Sequence, residues 1–239
     1  MRTVYHKSAK ANKNMKSLNE ALLRGPILLP LVCGMQLRFR STKYVILDDI
    51  EKAFLHISLA PSDRDSTRFI WLKDSNKDVS MKNLEIYRFT RIAFDVISSP
   101  FLLGAVIRYY FTKILADTTR SEEEKRYAQM IIQNMYVDNL LGGVENLADA
   151  KALYEFAKQE FAKANMNLRE WASNIPEFET YVDRKDLAVL KETTKILGII
   201  WKPHSDTLVF SANNISVVPP YTKRKVLNQL ASIMTHLDI

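Results

Sequence analysis

The chain has 239 residues, 47% hydrophobic and 26% charged, with a formal net charge of 34 − 27 = +7. That is the length and composition of one or two globular domains, and it excludes a disordered chain. One cysteine and four histidines exclude a disulfide framework and a Cys-rich zinc module, and they fit a reducing compartment.

Residues 1–43 are basic and read as irregular, with Gly25-Pro26 and Pro30 marking turns. Lys7, Lys10, Lys13 and Lys16 lie three apart, as on a solvated face or a phosphate-contacting one. No apolar run follows them, so no signal peptide is expected. Tyr44-Val-Ile-Leu47 reads as a buried strand ending in Asp48-Asp49. Arg68–Leu72 and Leu84–Thr90 read as a strand pair joined through the polar Ser75–Asp78. Ser99 is the expected N-cap of a helix with Pro100 at its first position, running to Ala116. Arg108 and Lys113 interrupt it, so it falls short of the ~18 uninterrupted apolar residues of a membrane span. No membrane partner is expected, and the location reads as intracellular, cytoplasmic or nuclear.

Ser121 and Glu124 form a capping box for a second helix. Met135–Gly143, apolar around a polar pair, reads as a tight hairpin. Asn146 caps the next helix, whose Leu153, Phe156, Ala157, Phe161 and Ala164 make one stripe. Thr194–Trp201 and Thr207–Phe210 read as a hairpin over Pro203. Thr222 caps a last helix with Val226, Leu230, Ile233 and Leu237 on one face. The fold class is α+β.

Asp49 and Asp138 stand apart, one at a strand end and the other in a hairpin turn. Nucleotidyl transfer uses two Mg²⁺ ions clamping the attacking and leaving oxygens. Mg²⁺ keeps its waters and takes only one or two carboxylates plus substrate phosphates. A lone Asp at such places also serves commonly as a cap or solvated turn.

The surrounding words narrow the choice. Asp49-Ile-Glu-Lys-Ala-Phe54, Tyr87–Phe101 and Tyr136-Val-Asp-Asn139 resemble, in order, the first three palm motifs of reverse transcriptases. Further words extend the likeness to the BEL/Pao long-terminal-repeat retrotransposons. They are Arg2–Tyr5 with Ser8-Ala9, Ser17-Leu-Asn19, Gly25-Pro26 with Leu28-Leu-Pro30, Asp63-Arg-Asp65 and Arg68-Phe-Ile-Trp71. Asn167-Leu-Arg-Glu-Trp171, Lys195–Gly198 and Thr222–Leu227 continue it.

The resemblance implies an RNA-directed DNA polymerase with a right-hand fold. Residues 1–43 would be a partial fingers segment and 44–180 the palm, with inserted fingers strands at about 63–92. Residues 181–239 would be a post-palm hairpin and helix leading towards the thumb and connection. Asp49 and Asp138 would be the catalytic metal ligands, with Asn139 a weaker one. Phe54 would gate the incoming sugar, and Arg2 and Phe94 would meet the nucleotide. Tyr136 and Asp95 would lie near primer and template. The implied cofactor is Mg²⁺, with Mn²⁺ able to replace it. The implied partners are a primed RNA or DNA template, deoxynucleoside triphosphates and the protease, RNase H and integrase of a longer polyprotein.

Four features depart from that family's pattern. Asn139 stands where a second Asp is usual, and Asp95 where Gly is usual. His6-Lys7 replaces an Asp and a small residue. The chain is expected to be truncated within the fingers, and it ends in His236-Leu237-Asp238-Ile239. They imply an alternative: an inactive remnant that at most binds nucleic acid.

Overall fold

The computed structural model describes residues 6–10, 12–188, 193–197, 199–209 and 222–225. The fold is mixed α and β. The helices are α1 (Leu18–Ala21), α2 (Val32–Ser41), α3 (Ser99–Ala116), α4 (Glu122–Asn134), α5 (Leu147–Lys163) and α6 (Pro176–Tyr181). The strands are β1 (Tyr44–Ile50), β2 (Arg68–Leu72), β3 (Leu84–Arg88), β4 (Met135–Tyr136), β5 (Asn139–Val144), β6 (Leu168–Ser173), β7 (Thr194–Ile196), β8 (Ile199–Lys202) and β9 (Thr207–Val209). A four-stranded sheet has the order β4-β5-β1-β6. The antiparallel β2–β3 ribbon pairs Ile70 with Ile86, and β7-β8-β9 form a three-stranded antiparallel sheet.

Two compact units divide the chain. The first comprises Met1–Pro30, Ile50–Asn139 and Phe156–Asn167, the second Leu31–Asp49, Leu140–Glu155 and Leu168–Ile239. In the first, Phe111 packs against Phe161 and Phe156, and Tyr127 against Phe156, with ring centroids 5.2–6.4 Å apart. In the second, the ring of Tyr154 meets the edges of Trp171 and Phe178, and Phe39 meets Trp201. β1 is buried along nearly its whole length, as its apolar run requires of a strand with neighbours on both sides.

The caps follow the local sequence. Ser121 Oγ accepts the Glu124 amide while Glu124 accepts the Ser121 amide. Asn146 accepts the Asp149 amide, and Thr222 accepts the Lys225 amide. Several boundaries differ from the sequence expectation. Ser98, not Ser99, flanks α3; Ser99 lies inside it and donates its hydroxyl to the Ala93 carbonyl at 2.8 Å. β1 runs through Asp48 and Asp49 to Ile50, and β3 stops at Arg88. The expected strand over 194–201 is two strands, because Leu197 turns at φ 46°. The segment expected to be irregular carries α1, with its own Ser17–Glu20 capping box, and α2. Gly25 takes φ +85°, and a Cβ there would strike the Phe101 ring at 2.4 Å, so the Gly25-Pro26 turn requires glycine. Phe210 and the apolar face from Val226 to Leu237 lie outside the described residues.

Candidate active site

The third-motif segment folds as the hairpin read from its sequence. β4 and β5 flank a two-residue turn of Val137 and Asp138. Val137 takes φ 55°, a left-handed conformation rare for a β-branched residue. Such outliers gather where surrounding structure over-determines a functional turn. Asp138 is half-buried at the turn. Burial pushes its carboxyl above the ordinary value, against the opposing pull of its own amide and the Asn139 side chain. Asn139 is exposed and donates its amide to Asp138 Oδ1 at 2.9 Å.

β1 carries the other carboxylate. Asp48 is buried and Asp49 half-buried, so successive residues face opposite sides of the strand. The Ile50 amide, one residue beyond Asp49, donates to the Asp138 carbonyl at 2.8 Å. Arg169 of β6 lies with Nε 3.7 Å from Asp49 Oδ1. No sequence rule marked that arginine.

Beyond β1 the chain turns through Lys52 at φ 50° into a short 3₁₀ turn, Ala53–His56. His56 Nε2 lies 2.8 Å from the Glu51 carbonyl oxygen, and Asn167 donates to the Glu51 carboxylate at 3.1 Å. Those bonds hold Phe54 buried, with its ring edge-on to Phe94 at 5.0 Å. Phe94 itself is half exposed. The two aromatics expected near the nucleotide are thus in contact. Tyr136 is half-buried in β4, and Arg2 lies outside the described residues.

Asp95 takes φ 62°, the backbone that glycine would supply at that place. Its carboxylate accepts the Lys7 amide at 2.8 Å and lies 3.7 Å from His6 Nδ1. Asn19 donates to the Asp95 carbonyl at 2.9 Å and accepts the Ile97 amide at 2.9 Å. Asp95 and His6-Lys7, each read from the sequence as a departure from the resembled pattern, are thus in contact.

Asp138, a half-buried carboxylate beside the Asn139 amide, and Asp49, a half-buried carboxylate on β1, are each oxygen donors of the kind a hard cation takes. Among the described residues no group of three or more His, Cys, Asp or Glu side chains is arranged to hold a metal. Mg²⁺ needs no such cage when phosphates and water complete its shell. Among the described residues, no helix is long and apolar enough to cross a membrane. No family model matches the chain, and neither does any curated protein.

Proposed function

We propose that the chain is the fingers–palm part of a BEL/Pao-type reverse transcriptase, adding deoxynucleotides to a primer annealed to RNA or DNA. The observation that supports this best is the turn bearing Asp138, strained at Val137 and bonded through its carbonyl to the residue after Asp49. Asp49 and Asp138 would hold Mg²⁺ or Mn²⁺, with the Asn139 amide oxygen as a further donor. The bound cation supplies charge neutralisation at the α-phosphate. Phe54, held rigid by Phe94, would lie beneath the sugar and exclude a 2′-hydroxyl. Tyr136 would lie beside the primer end, and Arg2 would reach the nucleotide phosphates. Protease, RNase H and integrase would be the other parts of the polyprotein.

A second reading, a non-catalytic nucleic-acid binder, is favoured by Asn139. Its amide brings no charge and spends a donor on Asp138. Primer extension separates the two. We expect weak extension by the chain, at least about tenfold more by Asn139→Asp, and none when Asp49→Ala is added to that variant. No extension by Asn139→Asp, or extension that survives Asp49→Ala, refutes the polymerase reading.

A further inference from the structure

β6 does not alternate as a regular strand. Along Leu168–Ser173 the residues are buried, half-buried, exposed and then buried three times over. The break falls at Glu170, which takes φ 56° inside the strand. The next residue, Trp171, bridges Leu187 in parallel, its amide donating to the Asp186 carbonyl at 2.9 Å. A left-handed residue within a strand is a bulge, and bulges re-aim the side chains beside them. Here the neighbour is Arg169, whose guanidinium lies 3.7 Å from Asp49 Oδ1 and 3.7 Å from Glu170 Oε1.

Two features distinguish this contact from the protein's structural ion pairs. Arg120 reaches Glu160 at 2.9 Å, and that carboxylate is wholly buried. Arg169 and Asp49 are farther apart, too far for a hydrogen bond, with side chains 40% and 26% exposed. Both side chains are partly exposed, although Arg169 Nε itself is buried and makes no hydrogen bond, so opening the pair breaks none at that atom. A divalent ion arriving at Asp49 meets a guanidinium already there. It must displace that group or bind beside it, and either way the ion loses affinity.

We propose that Arg169 is a placeholder cation: it neutralises Asp49 in the metal-free protein and yields that carboxylate when a divalent ion binds. Arg169 is thus a positioning residue, and the proposal rests on the metal-site reading above. Once displaced from Asp49, the guanidinium can meet a phosphate oxygen, for which its planar fork is suited.

Titration of Mn²⁺ into the full chain, followed by the loss of the free-ion paramagnetic resonance signal, tests this without any turnover. Arg169→Gln should bind about fivefold tighter than the unmodified chain, the factor expected for a partly exposed pair. Arg169→Lys, which keeps the charge, should bind like the unmodified chain. Asp49→Asn should abolish the site in both backgrounds. A thermal melt by circular dichroism confirms that each variant is folded. Equal or weaker binding by folded Arg169→Gln, with Asp49→Asn still abolishing it, overturns the placeholder role and leaves the metal site standing. Mn²⁺ binding that is absent, or indifferent to Asp49→Asn, overturns both.

Discussion

At Val137 a β-branched side chain occupies φ 55°, where its Cβ crowds the backbone at a cost of roughly 1–2 kcal/mol. Nothing in the residue type favours that conformation; the turn between β4 and β5 imposes it. Glycine would adopt it freely but would lose a half-buried isopropyl group and gain freedom in the unfolded chain. Strain relief is the larger effect. Val137→Gly should therefore raise stability by up to about 1 kcal/mol, read from the denaturant midpoint at unchanged m. A lower midpoint would mean that the side chain's packing outweighs the strain. Asp95 shows the same conformation reached differently. Its left-handed backbone is held by the bond from the Lys7 amide and by the Asn19 side chain. The charge expected to face nucleic acid is turned onto residues 6 and 7 of the same chain.

In the first unit, α3, α5 and the turn before α4 meet at one buried carboxylate. Glu160 on α5 accepts bonds from Tyr110 of α3, Arg120 before α4 and Lys163, at 2.8–2.9 Å. Burial alone would raise its pKa, but the three donors together hold it below the ordinary value. Burial first, and then the Glu160 bond, push the Tyr110 hydroxyl up to about 12. A depressed acid adds stability above its unfolded pKa and loses it as pH falls through the folded one. Glu160→Gln should cost about 2 kcal/mol at pH 7, and the gap should close as pH falls below about 4. A gap that stays constant with pH would assign the loss to packing instead. At this scale the caps at Ser121, Asn146 and Thr222 were legible because each lies within three residues of its partner. Ser17-Leu-Asn-Glu20 carries the same signature and was available to the same rule. α2 was not, since Leu31 offers no side-chain cap and Pro30 reads as a turn. The Leu197 turn was hidden within an apolar run.

At the scale of the whole molecule, what could be read in advance was local and what could not was distant. The hairpin around Asp138 is written in consecutive residues. The contact of Arg169 with Asp49 depends on a bulge fixed by Trp171 and Asp186, and the Lys7–Asp95 bond spans 88 residues. Net charge behaves similarly, because the +7 counts cations already engaged with carboxylates. In the β2–β3 ribbon, Arg68 and Arg88 face each other across the strands and both bond Asp65 at 2.6 Å. A phosphate backbone must compete with that carboxylate for both arginines. If the ribbon lies against nucleic acid, as the fingers reading requires, Asp65→Asn releases two cations to the phosphates. Each phosphate neutralised steepens the fall of log K with log salt by about 0.9. Fluorescence anisotropy of a primed template between about 50 and 200 mM salt should then give tighter binding at the low end. The slope should be steeper by between about one and two than for the unmodified chain. An unchanged slope would place the nucleic acid away from the ribbon, on cations elsewhere in the chain. Binding by the unmodified chain that does not respond to salt would count against a polyanionic partner altogether, whether or not the chain polymerises.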